Sequence, residues 1–274
     1  MKVDVSDIDM GPTKEQEIAA AQRVVKGSMP LISEAPPALL TLPRGLLVGD
    51  RWENTVELRE LTGVDEETLA RFKDPLDFFD GVIVLGTSRI GSQDLSQMSF
   101  AERQSTLLNL LIGEREQLFL HVARTTYGDE KEITHTCPFC ATEQTTTVVL
   151  SEDIEIPEME QANVVIRNFT AKNGDVLSYR LATGVDQVEA VSIKGASNAE
   201  QNTRIIAQCV VRINDAPVLD PLTMARNLTM GDRDRLLNLL VSDQPTPKMS
   251  LDIKCASCRE EVILPVTWGD IFRP

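Results

Sequence analysis

The chain has 274 residues, 42% of them hydrophobic, enough for one large core or two modest ones. Its 42 acidic residues against 27 basic ones give a net charge of −15, which excludes the broad basic surface that nucleic-acid binding draws on. No apolar run reaches the length of a membrane span and the first ten residues lack a signal-peptide core, so the expected setting is a cytoplasm, where paired cysteines read as metal ligands before disulfides.

In chain order, residues 1–12 form an acidic start. A helix is predicted from the Thr13/Gln16 capping pattern, through Ile18, Ala21 and Val25, to Gly27. Residues 28–43, with Pro30, Pro36, Pro37 and Pro43, read as an extended connector. Residues 1–44 are therefore an arm and linker, able to dock on a partner or to pack on the chain itself. The body starts near Leu46. A strand is predicted around Val56 and Leu58, then a short helix opened by Asp65, Glu66 and Glu67. The β-branched run Val82-Ile83-Val84-Leu85 predicts a buried strand. Ser99 and Glu102 make a capping box for a helix that carries Leu107–Ile112 to the core, and Gln117–Tyr127 is read as a strand turning at Gly128-Asp129.

The second part of the chain repeats this plan. Leu61-Thr-Gly-Val-Asp-Glu66 is echoed by Ala182-Thr-Gly-Val-Asp-Gln187, and Leu107-Leu-Asn-Leu-Leu-Ile112 by Leu236-Leu-Asn-Leu-Leu-Val241. The helix start Met98–Arg103 matches Leu228–Arg233, and Cys137-Pro-Phe-Cys140 matches Cys255-Ala-Ser-Cys258. Four matches in one order predict an old duplication, with a first repeat over 45–160 and a second over 161–274. The expected fold is α+β: two related halves, each a small sheet with a Leu-rich helix, in which Leu107, Leu111, Leu236 and Leu240 are buried.

Each Cys-x-x-Cys pair lies between strand-like segments, the layout of a zinc ribbon. One pair offers two ligands where zinc takes four, so Cys137, Cys140, Cys255 and Cys258 are predicted to share one structural zinc per chain. A redox dithiol needs a helix after the pair, and an iron–sulfur cluster needs closer spacing; neither pattern is present. Cys209 reads as a core residue, and His135 as a dispensable neighbour of the knuckle. Gly86-Thr-Ser-Arg-Ile-Gly91 follows the predicted buried strand as a phosphate loop would, but Ser92 and Gln93 stand where the lysine and hydroxyl belong, so a turn is predicted. The acids at 65–67, 152–155 and 158–160 fall in predicted turns or helix starts, and no catalytic constellation is read.

The order of knuckle, Thr-Gly-x-Asp segment, Leu-rich helix, second knuckle and the ending Asp270-Ile-Phe-Arg-Pro274 resembles baseplate proteins of T-even-type contractile bacteriophages. Val56–Glu66 is also similar to segments of phage tail-assembly chaperones. The resemblance covers about 45–274 and implies a non-enzymatic structural or assembly protein of the baseplate hub region. It further implies other baseplate or hub proteins as partners, no nucleic acid or membrane, and a place in the host cytoplasm during assembly or in the virion tail. The alternative is a cellular zinc-ribbon adaptor associated with nucleic acid. Trp268–Pro274 is expected either to anchor in a partner or to cover the chain's own core.

Overall fold

The computed structural model describes residues 35–193 and 195–272. The predicted helix at 13–27 and most of the predicted arm lie outside these residues. The fold is α+β, as expected, and the duplication is visible in its topology.

The first repeat opens with strands Ala38–Val48 (β1) and Arg51–Leu58 (β2), then helices Gly63–Leu69 (α1) and Pro75–Gly86 (α2). Strands Thr87–Ile90 (β3) and Gln93–Asp94 (β4) complete an antiparallel sheet in the order β1-β2-β3-β4. Helices Phe100–Leu107 (α3) and Ile112–Tyr127 (α4) follow, then a hairpin of Glu130–Thr136 (β5) and Glu143–Val149 (β6) and a short turn of helix, Leu150–Asp153 (α5). The second repeat runs Ile166–Thr170 (β7), Val176–Arg180 (β8), Gly184–Val191 (α6), Asn198–Cys209 (α7), Val210–Ile213 (β9) and Ala216–Pro217 (β10). Its sheet order, β7-β8-β9-β10, is that of the first. It then continues through Pro221–Asn227 (α8) and Met230–Ser242 (α9) to a second hairpin, Ser250–Lys254 (β11) and Glu261–Pro265 (β12), and a helical turn, Trp268–Ile271 (α10).

The likeness extends to hydrogen bonds. Thr62 and Thr183 each start a helix with a capping box to Asp65 and Asp186, and those two carboxylates are gripped through both oxygens by Arg59 and Arg180. The sheets also break register at matching places, between Glu57 and Leu58 and between Ser178 and Tyr179. Asp65, expected in a solvated helix start, is instead buried by this grip.

Several predicted elements are corrected. Val82–Leu85 belongs to helix α2, which begins where Asp74 accepts the Leu76 amide hydrogen and Pro75 takes the first helical position. A four-residue apolar run fits a buried helix as well as a strand, and the Asp-Pro start decides it. Gln117–Tyr127 is likewise helical. The Thr125 hydroxyl donates to the His121 carbonyl, and the helix stops at Gly128, whose φ is +84°. Residues 38–44, assigned on sequence to the arm and linker, are part of β1, which a bulge allows to carry Pro43 within the sheet.

The Leu-rich runs differ between repeats. Leu236–Val241 lies inside α9, whereas α3 ends at Leu107 and the next residues leave the helix. They meet the second repeat edge-on: Leu111 bridges Thr183, the Ile112 amide donates to the Ala182 carbonyl, and the Val185 amide donates to the Leu108 carbonyl. All four predicted leucines are buried, but Leu111 joins the core of the other repeat. Helix α4, which has no counterpart among the described residues of the second repeat, then crosses the molecule. Leu118, Phe119 and Val122 pack in the first core, while Leu120 and Ala123 pack in a third core beneath the two hairpins. Gln244 and Pro245 secure its start, accepting from the Gly113 amide and the Gln117 side chain. Trp268 and Phe272 cover the chain's own core: Trp268 packs on Phe79 and Phe119, and Phe272 on Phe78 and Tyr127.

Candidate metal centre

The two cysteine pairs occupy the turns of the two hairpins, and the turns are built alike. In the first, the Cys137 amide donates to the Thr142 carbonyl at 2.9 Å and the Ala141 amide to the Cys137 carbonyl at 2.9 Å. In the second, the Cys255 amide donates to the Glu260 carbonyl at 3.0 Å and the Arg259 amide to the Cys255 carbonyl at 2.9 Å. Ala141 and Arg259 both take positive φ, 56° and 65°, which curls each backbone so that both sulfurs of a pair face the same point.

That point is shared. Cys137 Sγ lies 3.7 Å from Cys258 Sγ, Cys140 Sγ lies 3.7 Å from Cys255 Sγ, and all four sulfurs fall within 4.8 Å of one another. A disulfide needs about 2.05 Å, and all four residues are free thiols. A tetrahedral ion with metal–sulfur bonds of about 2.3 Å separates its ligands by about 3.8 Å, so the spacing fits one ion. Cys137 and Cys255 are buried, while Cys140 and Cys258 sit on the outer side.

The four sulfurs also bear on one another's ionisation. The Thr142 hydroxyl and amide pull Cys140 down to about 6. At Cys258 the Glu260 amide also pulls downward, but burial and the neighbouring Cys255, Cys140 and Cys137 sulfurs override it and push the thiol up to about 12. Four thiolates this close repel one another, and a bound cation is what lets all four ionise. Sulfur donors in a tetrahedron suit a soft, borderline ion and are compatible with zinc.

The surroundings hold the knuckles in register. Gln144 accepts from the Ala256 amide at 3.1 Å with its carbonyl, and its amide nitrogen lies 2.9 Å from His135 Nε2. This places a side chain of the first hairpin against the turn of the second. His135 is thus a supporting residue and not part of the sulfur cluster; Gln144 was not singled out from the sequence, where nothing marks a glutamine four residues after Cys140. Cys209, at the end of α7, is fully buried and pushed up to about 12 by burial, as a core residue should be. The turn predicted over Gly86–Gly91 is corrected: Gly86 ends helix α2, Thr87–Ile90 pair as strand β3, and only Gly91 and Ser92 turn into β4.

A family profile described as T4 bacteriophage base plate protein matches residues 51–273. No curated protein and no solved structure matches the chain.

Proposed function

The chain belongs to the T4 bacteriophage base plate protein family, and from that premise we propose that it is a non-enzymatic structural or assembly protein of the hub region. In this reading Cys137, Cys140, Cys255 and Cys258 hold one zinc ion that fastens the first repeat, from β1 at Ala38 to about residue 160, to the second over 161–274. The observation that carries it is the meeting of two knuckles, one from each repeat, around a single point. Four sulfurs close a tetrahedral shell and leave no position for water or substrate, which suits structure over catalysis. Family membership favours the base plate over a cellular adaptor, and the net charge of −15 speaks against nucleic acid as a partner.

The protein would be made and assembled in the host cytoplasm, and its partners would be other base plate or hub proteins. Deleting the gene in a phage that carries it and imaging the lysate by electron microscopy tests the role. Heads accumulating without completed tails are expected; normal infectious particles with complete base plates would defeat the reading.

A further inference from the structure

Arg44 is turned out of its sheet by a built device. Thr41 pairs with Thr55 and Leu46 with Glu53, so Leu42, Pro43, Arg44 and Gly45 bulge opposite Asn54 alone. Gly45 has φ +79°, and a Cβ there would lie 2.2 Å from the Glu53 carbonyl oxygen, so only glycine fits. Glu114, fully buried on α4, fixes the bulge by accepting the Arg44 amide at 2.6 Å and the Gly45 amide at 2.8 Å. Bulges of this kind re-aim a side chain, and the side chain re-aimed here is Arg44.

Arg44 as a residue is 5% exposed, and its guanidinium carbon lies 4.9 Å from the centre of the Trp52 ring. Among the described residues no carboxylate stands within ion-pair distance of it and no acceptor is hydrogen-bonded to it; Nε is buried without a partner. The other inward arginines are paired: Arg115 with Asp80, Arg167 with Asp243 and Arg180 with Asp186. Glu114 attracts Arg44 through space, but its oxygens are committed to backbone amides, including that of Leu111. An unpaired buried cation is costly, and a chain with a net charge of −15 has acids to spare.

Arg44 lines a cleft of about 530 Å³ between the repeats, bounded by Thr106 and Asn109 on one side and Thr183 on the other. Its rim carries two exposed apolar side chains, Leu47 and Val185. We infer that this cleft is a docking socket for an acidic side chain, flanked by apolar residues, on a partner protein. The inference rests on the reading that this protein holds other chains. Arg180 and Asp186 in the cleft neutralise each other, so Arg44 offers one positive charge, which one carboxylate balances and a phosphate dianion exceeds.

The test uses the full chain carrying Trp268→Phe, so that fluorescence reports Trp52 alone. It is titrated with the capped peptide acetyl-Leu-Glu-Leu-amide, with its glutamine counterpart and with inorganic phosphate. The expected result is a saturable response to the glutamate peptide, at least about tenfold tighter than to the glutamine peptide, and about tenfold weaker in Arg44→Gln. Val185→Asp, in the first turn of α6 where a carboxylate suits the helix, keeps the fold and should weaken binding similarly by charge repulsion. No saturable response, equal response to both peptides, tighter binding of phosphate, or parent-like binding by Val185→Asp would each overturn the inference. No phage particle enters this titration, so its failure leaves the base plate reading to the deletion experiment.

Discussion

Cys137 Sγ and Cys258 Sγ lie 3.7 Å apart at a sequence separation of 121 residues, each in the turn of a different hairpin. An ion shared by these turns would close a long loop between two repeats that also meet along α4, at the Leu111–Thr183 bridge and in the core beneath the hairpins. On the proposed reading the shared ion adds to the apolar contacts between the repeats, and the two kinds of joint can be perturbed separately.

The apolar joint is tested by Leu111→Ala. Leu111 is fully buried in the second core although it is supplied by the first repeat. Its truncation should cost about 2–5 kcal/mol in urea unfolding. Leu108→Ala, at the partly exposed end of α3, should cost much less. Equal costs would mean that the segment does not join the cores.

Gly45→Ala probes the bulge. The new Cβ meets the Glu53 carbonyl and the φ of +79° disfavours any L side chain, so a loss of roughly 2 kcal/mol or more is expected. A neutral effect by thermal or urea unfolding would mean that β1 does not bulge there.

The acid limb of stability should depend on Asp186. Burial pushes its pKa up, but the two-fold grip of Arg180 and the Thr183 amide outweigh this and hold it below the usual carboxylate range. A depressed folded-state pKa stabilises above the unfolded value of about 3.9 and is lost as pH falls through the folded one. Asp186→Asn should therefore cost roughly 3 kcal/mol near neutral pH and little in strong acid. A loss that does not shrink on acidification would contradict the pairing.

Glu116 should behave in the opposite sense. Burial beside Phe79, Phe119 and Trp268 outweighs the pull of Arg115 and raises its carboxyl to about 7, and one of its oxygens is buried without a partner. A raised carboxyl binds its proton more tightly when folded, so stability falls as pH rises from about 4.5 through 7. Glu116→Gln should add about 1–3 kcal/mol at about pH 8 and almost nothing near pH 4. Stabilisation of equal size at both pH values would argue against a titrating group.

Much of this was legible in the chain because it is written twice. The Thr-Gly-Val-Asp segments, the hydroxyl caps and the cysteine spacings gave the repeats and the sulfur cluster, since local chemistry sets each of them. Val82–Leu85 in α2 has a β-branched composition that suits a strand equally, and Gln117–Tyr127 in α4 ends at the Gly128-Asp129 turn that a strand would share, so in both the helix is decided by packing. The bulge at Arg44 left no readable trace, because the residue that holds it, Glu114, lies 70 positions away. Gln144 escaped for the same reason, its partner amide being 112 positions distant.

The central claim is that one ion fastens the two knuckles. Metal analysis of the full chain purified without added metal should give about one zinc per chain, and hydrogen exchange of Cys255→Ser is the most direct test of sharing. Removing one sulfur of the second knuckle should lower protection in both hairpins, 130–149 and 250–265, because both turns lose the same anchor. Protection lost only over 250–265, with 130–149 unchanged, would contradict the account.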